Sequence, residues 1–174
     1  MTSEHDRSFP PALAAALAVP FDFREGDGVD FEPFPEFLPA GQATEWFRAW
    51  TGNEALSGDD FLVFGQDGTG GYAAFWLVRV GVPVAEQPLV FLGSEGEVAV
   101  LARDLGEFLW LLAAGYGPQE AAAYGPDHAA VPDRALTEVA ERFAPGARRP
   151  AAEVLARAAA EFPDFEEALM EFCQ

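Results

Sequence analysis

The chain has 174 residues, long enough for one domain that buries roughly 70% of its unfolded surface. Half of the residues are hydrophobic, which excludes a disordered tail, and acids outnumber bases 29 to 10 for a formal net charge of -19. All ten bases are arginines, so nucleic acid is a poor partner for so acidic a chain, whereas a basic protein would be drawn to it. The composition habit of an alanine-rich, lysine-poor proteome would give the same charge, and both readings stand.

In chain order, residues 1–8 read as a frayed end. Pro10 and Pro11 open a short helix through Leu13 and Leu17, because proline suits a first helical turn, and Pro20 stops it. Residues 20–40 read as a long loop with one short strand around Val29–Phe31, its phenylalanines anchoring it to the core. Ala43, Trp46, Phe47 and Trp50 follow helical spacing, with Gly52-Asn53 as the stop.

Four strands follow: Leu62–Phe64, Tyr72–Arg79, Leu89–Leu92 and Val98–Ala102. Gln66–Gly71 and Ser94–Glu97 are the turns, and the spacing is that of an antiparallel meander. The runs are almost continuously apolar, which predicts cover on both faces of the sheet. Asp104 caps the next helix, with Glu107 completing a box-like pattern, and Leu105, Phe108, Leu109 and Leu112 form its stripe.

Three more helical stripes close the chain: Leu136 to Phe143, Val154 to Phe162 and Phe165 to Phe172. Strands grouped together predict an α+β fold, a meander of four or more strands packed by N- and C-terminal helices. The expected organisation is one domain over residues 1–174, with 120–174 as a helical C-terminal extension.

No motif points to catalysis, a metal or a cofactor. The cluster Gly65, Gly68, Gly70 and Gly71 lacks the dinucleotide spacing and lies between two strands, so it reads as a structural hairpin turn. The acids Glu25, Asp27, Asp30, Glu32 and Glu36 do not match a calcium loop. They read as a solvated acidic loop, then as a partner-binding surface, and only third as a catalytic carboxylate pair. His5 and His128 are the only histidines and Cys173 the only cysteine, which excludes an ordinary zinc site and an intrachain disulfide. With no signal-peptide pattern and no long apolar run, the expected location is cytoplasmic. The four tryptophans read as core residues, with one or two as candidates for an exposed patch.

The stretch from Phe61 to Trp110 carries a resemblance. Phe64 to Tyr72 is a strand, a glycine turn and a strand. Pro88 to Gly93 is similar to a "proline, aliphatic pair, strand" element, and Leu101 to Leu109 looks like a closing strand and its helix. Together these resemble the SUKH superfamily of Smi/Knr-type cell-wall assembly regulators and bacterial toxin-immunity proteins. Pro10 to Leu13 is similar to its opening helix, although Val19-Pro20 stands where an asparagine-glycine is usual. The resemblance implies an α+β domain without enzymatic activity or cofactor that binds another protein, often a toxin and commonly a basic nuclease. A housekeeping scaffold of the same family and a carboxylate-dependent hydrolase are the alternatives.

Overall fold

The computed structural model describes residues 8–21, 29–128 and 130–173. Among the described residues seven α-helices and five strands follow in the order α1 (Pro11–Leu17), β1 (Glu32–Pro33), α2 (Ala40–Thr51), β2 (Phe61–Gln66), β3 (Tyr72–Trp76), β4 (Leu89–Leu92), β5 (Val98–Ala102), α3 (Leu105–Ala113), α4 (Pro118–Tyr124), α5 (Arg134–Phe143), α6 (Ala151–Glu161) and α7 (Phe165–Phe172). The strands form one antiparallel sheet in the order β1-β2-β3-β4-β5, so the fold is α+β with helices at both ends of the chain.

Alternation along the strands divides the core in two. Leu62, Phe64, Ala73, Phe75, Leu89, Phe91 and Leu101 face a cluster completed by Leu13, Phe108, Leu112, Leu136 and Ala140. Phe61, Val63, Ala74, Val90, Leu92 and Val100 face a second cluster with Phe47, Phe165 and Leu169. Thus α1, α3 and α5 cover one face of the sheet and α2 and α7 the other. Strands buried on both faces need no polar alternation, which accounts for their unbroken apolar runs.

Helix α6 lies along the edge strand β5 more extensively than any other helix lies along a strand. Its Val154 belongs to the first cluster and its Ala158 to the second, so it straddles the margin of the sheet. The C-terminal helices are therefore part of the core rather than an appendage to it. At the other margin, β1 pairs with β2 through Glu32 and Pro33 alone. The chain then continues beside β2, the Phe34 N–H donating to Phe64 O and the Leu38 N–H to Val63 O.

Local chemistry accounts for most boundaries. Gly52 takes the left-handed conformation at the end of α2, with φ 69°. The Asp104 side chain accepts from Glu107 N and caps α3, which buries eight of its nine residues. Asp133 caps α5 in the same way.

Four expectations are corrected. The short strand lies at Glu32–Pro33 instead of Val29–Phe31, because Phe31 turns inward and its ring fills the space over Gly65. The strand expected over Tyr72–Arg79 stops at Trp76, where the chain turns through a Val78 N–H to Trp76 O bond. The buried Gln87 side chain then holds the following strap, accepting from Arg79 N and donating to Arg79 O and Val82 O. Helix α4 is not among the three stripes read after α3, although its later part falls in the helical extension expected over 120–174. The Glu107 side chain does not return to its cap; it is buried against Arg149 and Arg157 instead.

Candidate partner-binding surface

Of the five acids singled out in the sequence, Glu25 and Asp27 lie outside the described residues. The other three sit in the segment that carries β1. Glu36 is exposed. Glu32 is exposed too, and its carboxylate accepts from the Gln66 side chain at 3.4 Å. Asp30 is half-buried and bonded at both ends: its Oδ1 accepts from Gly68 N at 2.9 Å, and its own N–H donates to Glu120 Oε2 at 3.2 Å.

The acidic segment and the glycine turn are thereby one structure. Each glycine of the turn has its own physical reason. A Cβ at Gly65 would stand 2.3 Å from the Phe31 ring, and one at Gly71 would stand 2.6 Å from the Phe91 ring. A Cβ at Gly68 would press on the Asp30 carboxylate at 3.0 Å. Gly70 adopts φ 92°, which side chains rarely tolerate. Asp67, only 2% exposed, ties the turn from within: its Oδ1 accepts from Thr69 N, Thr69 Oγ1 and Gly71 N at 2.8–3.0 Å. The Ser94 hydroxyl donates to Thr69 Oγ1 at 3.0 Å and links this turn to the next hairpin.

Glu120 is a buried acid that the sequence did not single out. It is 3% exposed, in the first turn of α4, and its Oε1 has no hydrogen-bond partner. Burial raises its pKa from 4.5 to about 7, and the charge of Asp30 adds to the rise. Hydrogen bonds from the backbone of Asp30, Glu120 and Gly117 oppose it. A protonated carboxyl here still accepts from Asp30 N.

The arrangement of charge is lopsided across the sheet. Six of the eight described arginines take part in ion pairs: Arg79, Arg103, Arg134, Arg148, Arg149 and Arg157. Arg134, Arg148, Arg149 and Arg157 lie on α5, α6 and the loop between them, while Arg79, after β3, and Arg103, before α3, both meet Glu161 at the end of α6. Arg149 Nε and Arg157 Nε both lie 3.4 Å from Oε1 of the buried Glu107, and Arg79 Nη2 lies 2.5 Å from Glu161 Oε2. On the opposite face the balance reverses. Between Glu25 and Val78 the only base is Arg48, and no base follows Arg157. These two stretches contain α2, the loop after it, and α7. They expose Glu45, Glu54, Asp59, Asp60, Glu166, Glu167 and Glu171. The face covered by α2 and α7 is therefore densely acidic, with no ion pair among the described residues to balance those seven carboxylates.

The sequence pointed to acids before α2, whereas the structure gathers further ones from the loop at 52–60 and from α7. That gathering depends on both packing over the same sheet face, which spacing along the chain does not reveal. Of the tryptophans, Trp110 is buried and donates to Ala144 O at 2.7 Å, while Trp46, Trp50 and Trp76 are half-buried on the acidic side. Among the described residues no helix is long and apolar enough to cross a membrane, and no group of three or more His, Cys, Asp or Glu is placed to hold a metal ion. No family model, curated protein or solved structure matches the chain.

Proposed function

We propose that the chain is a non-enzymatic protein-binding domain of the immunity kind that the SUKH resemblance implies. It captures a basic partner, such as a nuclease toxin, on its acidic face. The observation that carries this reading is the one-sided charge: unbalanced carboxylates spread over α2, the following loop and α7 around the single Arg48, while six of the eight described arginines are paired elsewhere. Such a face accelerates encounter with a basic surface and occupies the cleft where a nuclease would hold phosphate.

The test is co-purification of the chain with each protein encoded beside its gene, at low and at high salt. Salt-sensitive capture of a basic neighbour supports the reading, and capture of none at low salt overturns it. A gene standing alone among metabolic genes favours the housekeeping scaffold instead.

The hydrolase alternative draws on one observation, the raised Glu120 beside Asp30. Both groups are engaged structurally: Asp30 Oδ1 holds the glycine turn and Glu120 Oε2 holds the Asp30 backbone. A binding role therefore uses more of what the molecule presents.

A further inference from the structure

Between the loop at 52–60 and α7 lies a cavity of about 330 Å³, open to the acidic face. Its floor is Phe47, Phe61 and Trp76; its walls include Leu56, Leu169 and Phe172. Among the described residues Asp60 is the only charged side chain in the lining, and it is exposed. The volume is at the lower end for ligand pockets, about 300–1,000 Å³, and suits one large side chain.

Both walls are held in place before anything binds. Arg48 Nε donates to Leu56 O at 2.6 Å, and the Gly58 N–H donates to Thr44 Oγ1 at 3.0 Å, so the loop is clipped to α2. A Cβ at Gly58 would lie 2.5 Å from Ala43 O, so the approach is as close as backbone allows. Across the cavity, Asn53 Nδ2 donates to Phe172 O at 3.1 Å and fixes the end of α7. A cavity fixed in this way gives up little ordering entropy on binding. Two large apolar side chains stay exposed on α7, Met170 at 41% and Phe172 at 43%.

We infer that this cavity is the anchor point for a basic partner segment, which inserts one aromatic side chain between the loop and α7 while flanking arginines or lysines meet Asp60 and its acidic neighbours. The occupant follows from charge complementarity. Asp59, Asp60 and Glu54 stand on one wall element and Glu167 and Glu171 on the other, all exposed, against the single cation Arg48 clipped to Leu56 O, so an acidic segment would meet net repulsion there. Tryptophan, tyrosine and arginine are also the residues that dominate binding energy at protein interfaces. The inference rests on the protein-binding reading and names its anchor.

The probe is a capped arginine–tryptophan–arginine tripeptide, titrated into the isotope-labelled chain and followed by amide chemical shifts. Expected are shifts confined to residues 53–61 and 165–172, weakened by salt. The glutamate–tryptophan–glutamate and arginine–alanine–arginine analogues should bind at least about tenfold more weakly. Ala168→Phe, at an exposed position lining the cavity, should fill it and abolish the shifts without unfolding the chain. Asp60→Asn should keep the site but reduce its salt dependence. Shifts centred elsewhere, equal binding of the acidic analogue, or binding that survives Ala168→Phe would overturn the inference. So would a concentration-dependent dimer of the free chain that Ala168→Phe dissolves, because the occupant would then be a second copy. If a neighbouring gene product binds the chain and its Ala168→Phe variant equally, the protein-binding reading stands and this anchor falls.

Discussion

Asp30 Oδ1 accepts a hydrogen bond from the backbone N–H of Gly68 at 2.9 Å, joining positions 38 residues apart in the chain. An acid read as a partner contact thus also fastens its own segment to the β2–β3 turn. The two roles separate by mutation. Asp30→Ala should lower stability by about 1 kcal/mol, the scale of a charge-assisted bond in a partly exposed place. Glu36→Ala should leave stability unchanged. Urea midpoints measure both, and an equal, negligible effect from the two would remove the fastening role of Asp30.

Asp67 is the centre of the same turn. Its removal leaves the N–H groups of Thr69 and Gly71 without their acceptor, Gly71 in a buried setting. Asp67→Ala should cost about 2–3 kcal/mol, seen as a lower thermal midpoint, and Asp67→Asn should recover part of it because an amide oxygen still accepts.

Glu120 makes stability depend on pH in a defined window. Its folded pKa is raised from 4.5 to about 7. Below 4.5 the carboxyl is protonated in both the folded and unfolded states, and its contribution is complete. As pH rises from 4.5 to about 7 the unfolded chain ionises first, and that contribution is lost. Above about 7 the loss is finished. Glu120→Gln removes the titration. The stability of the variant relative to the natural chain should therefore climb by about 3 kcal/mol between pH 4.5 and 8. Parallel pH profiles for the two proteins would contradict the burial of an ionisable Glu120.

Among the ion pairs, burial decides the energetic rank. Glu107 is buried between Arg149 and Arg157, which are about one-third exposed. Glu107→Ala leaves two arginines facing an emptied site and should destabilise by about 2 kcal/mol, less than a fully buried pair would lose, because solvent screens the arginines. Arg134→Ala breaks only the exposed pair with Glu138 and should change stability by less than about 0.5 kcal/mol. Denaturant melts of both variants give the comparison.

The strands β4 and β5 were legible to the residue, because Pro88, Gly93 and Gly96 bracket continuous apolar runs. Helices α2, α3, α5, α6 and α7 were legible from their stripes and punctuation. The strap after β3 was not, since Gln87 satisfies its backbone through a side chain and leaves no periodic signature. Helix α4 was missed although Gly117-Pro118 is a fair start signal: seven residues give too short a stripe, and Glu120 looks like an ordinary first-turn acid. Its burial is set by Asp30, 90 residues away. The acidic face was half-legible. Net charge announced it, but the loop at 52–60 and α7 are joined by the shared sheet beneath them and by the Asn53 Nδ2 bond to Phe172 O, 119 residues apart, which spacing along the chain does not reveal.

The margins of the sheet restrict how this molecule can recognise anything. On one side the chain from Glu32 to Leu38 already occupies the outer groups of β2, and Pro33 lacks a donor of its own. On the other side α6 stands against β5. Among the described residues both margins are thus partly covered, which disfavours β-augmentation as a mode of capture. A partner of the kind proposed would be gripped by side chains projecting from helices and loops, so specificity could drift by surface substitution while the sheet stays untouched.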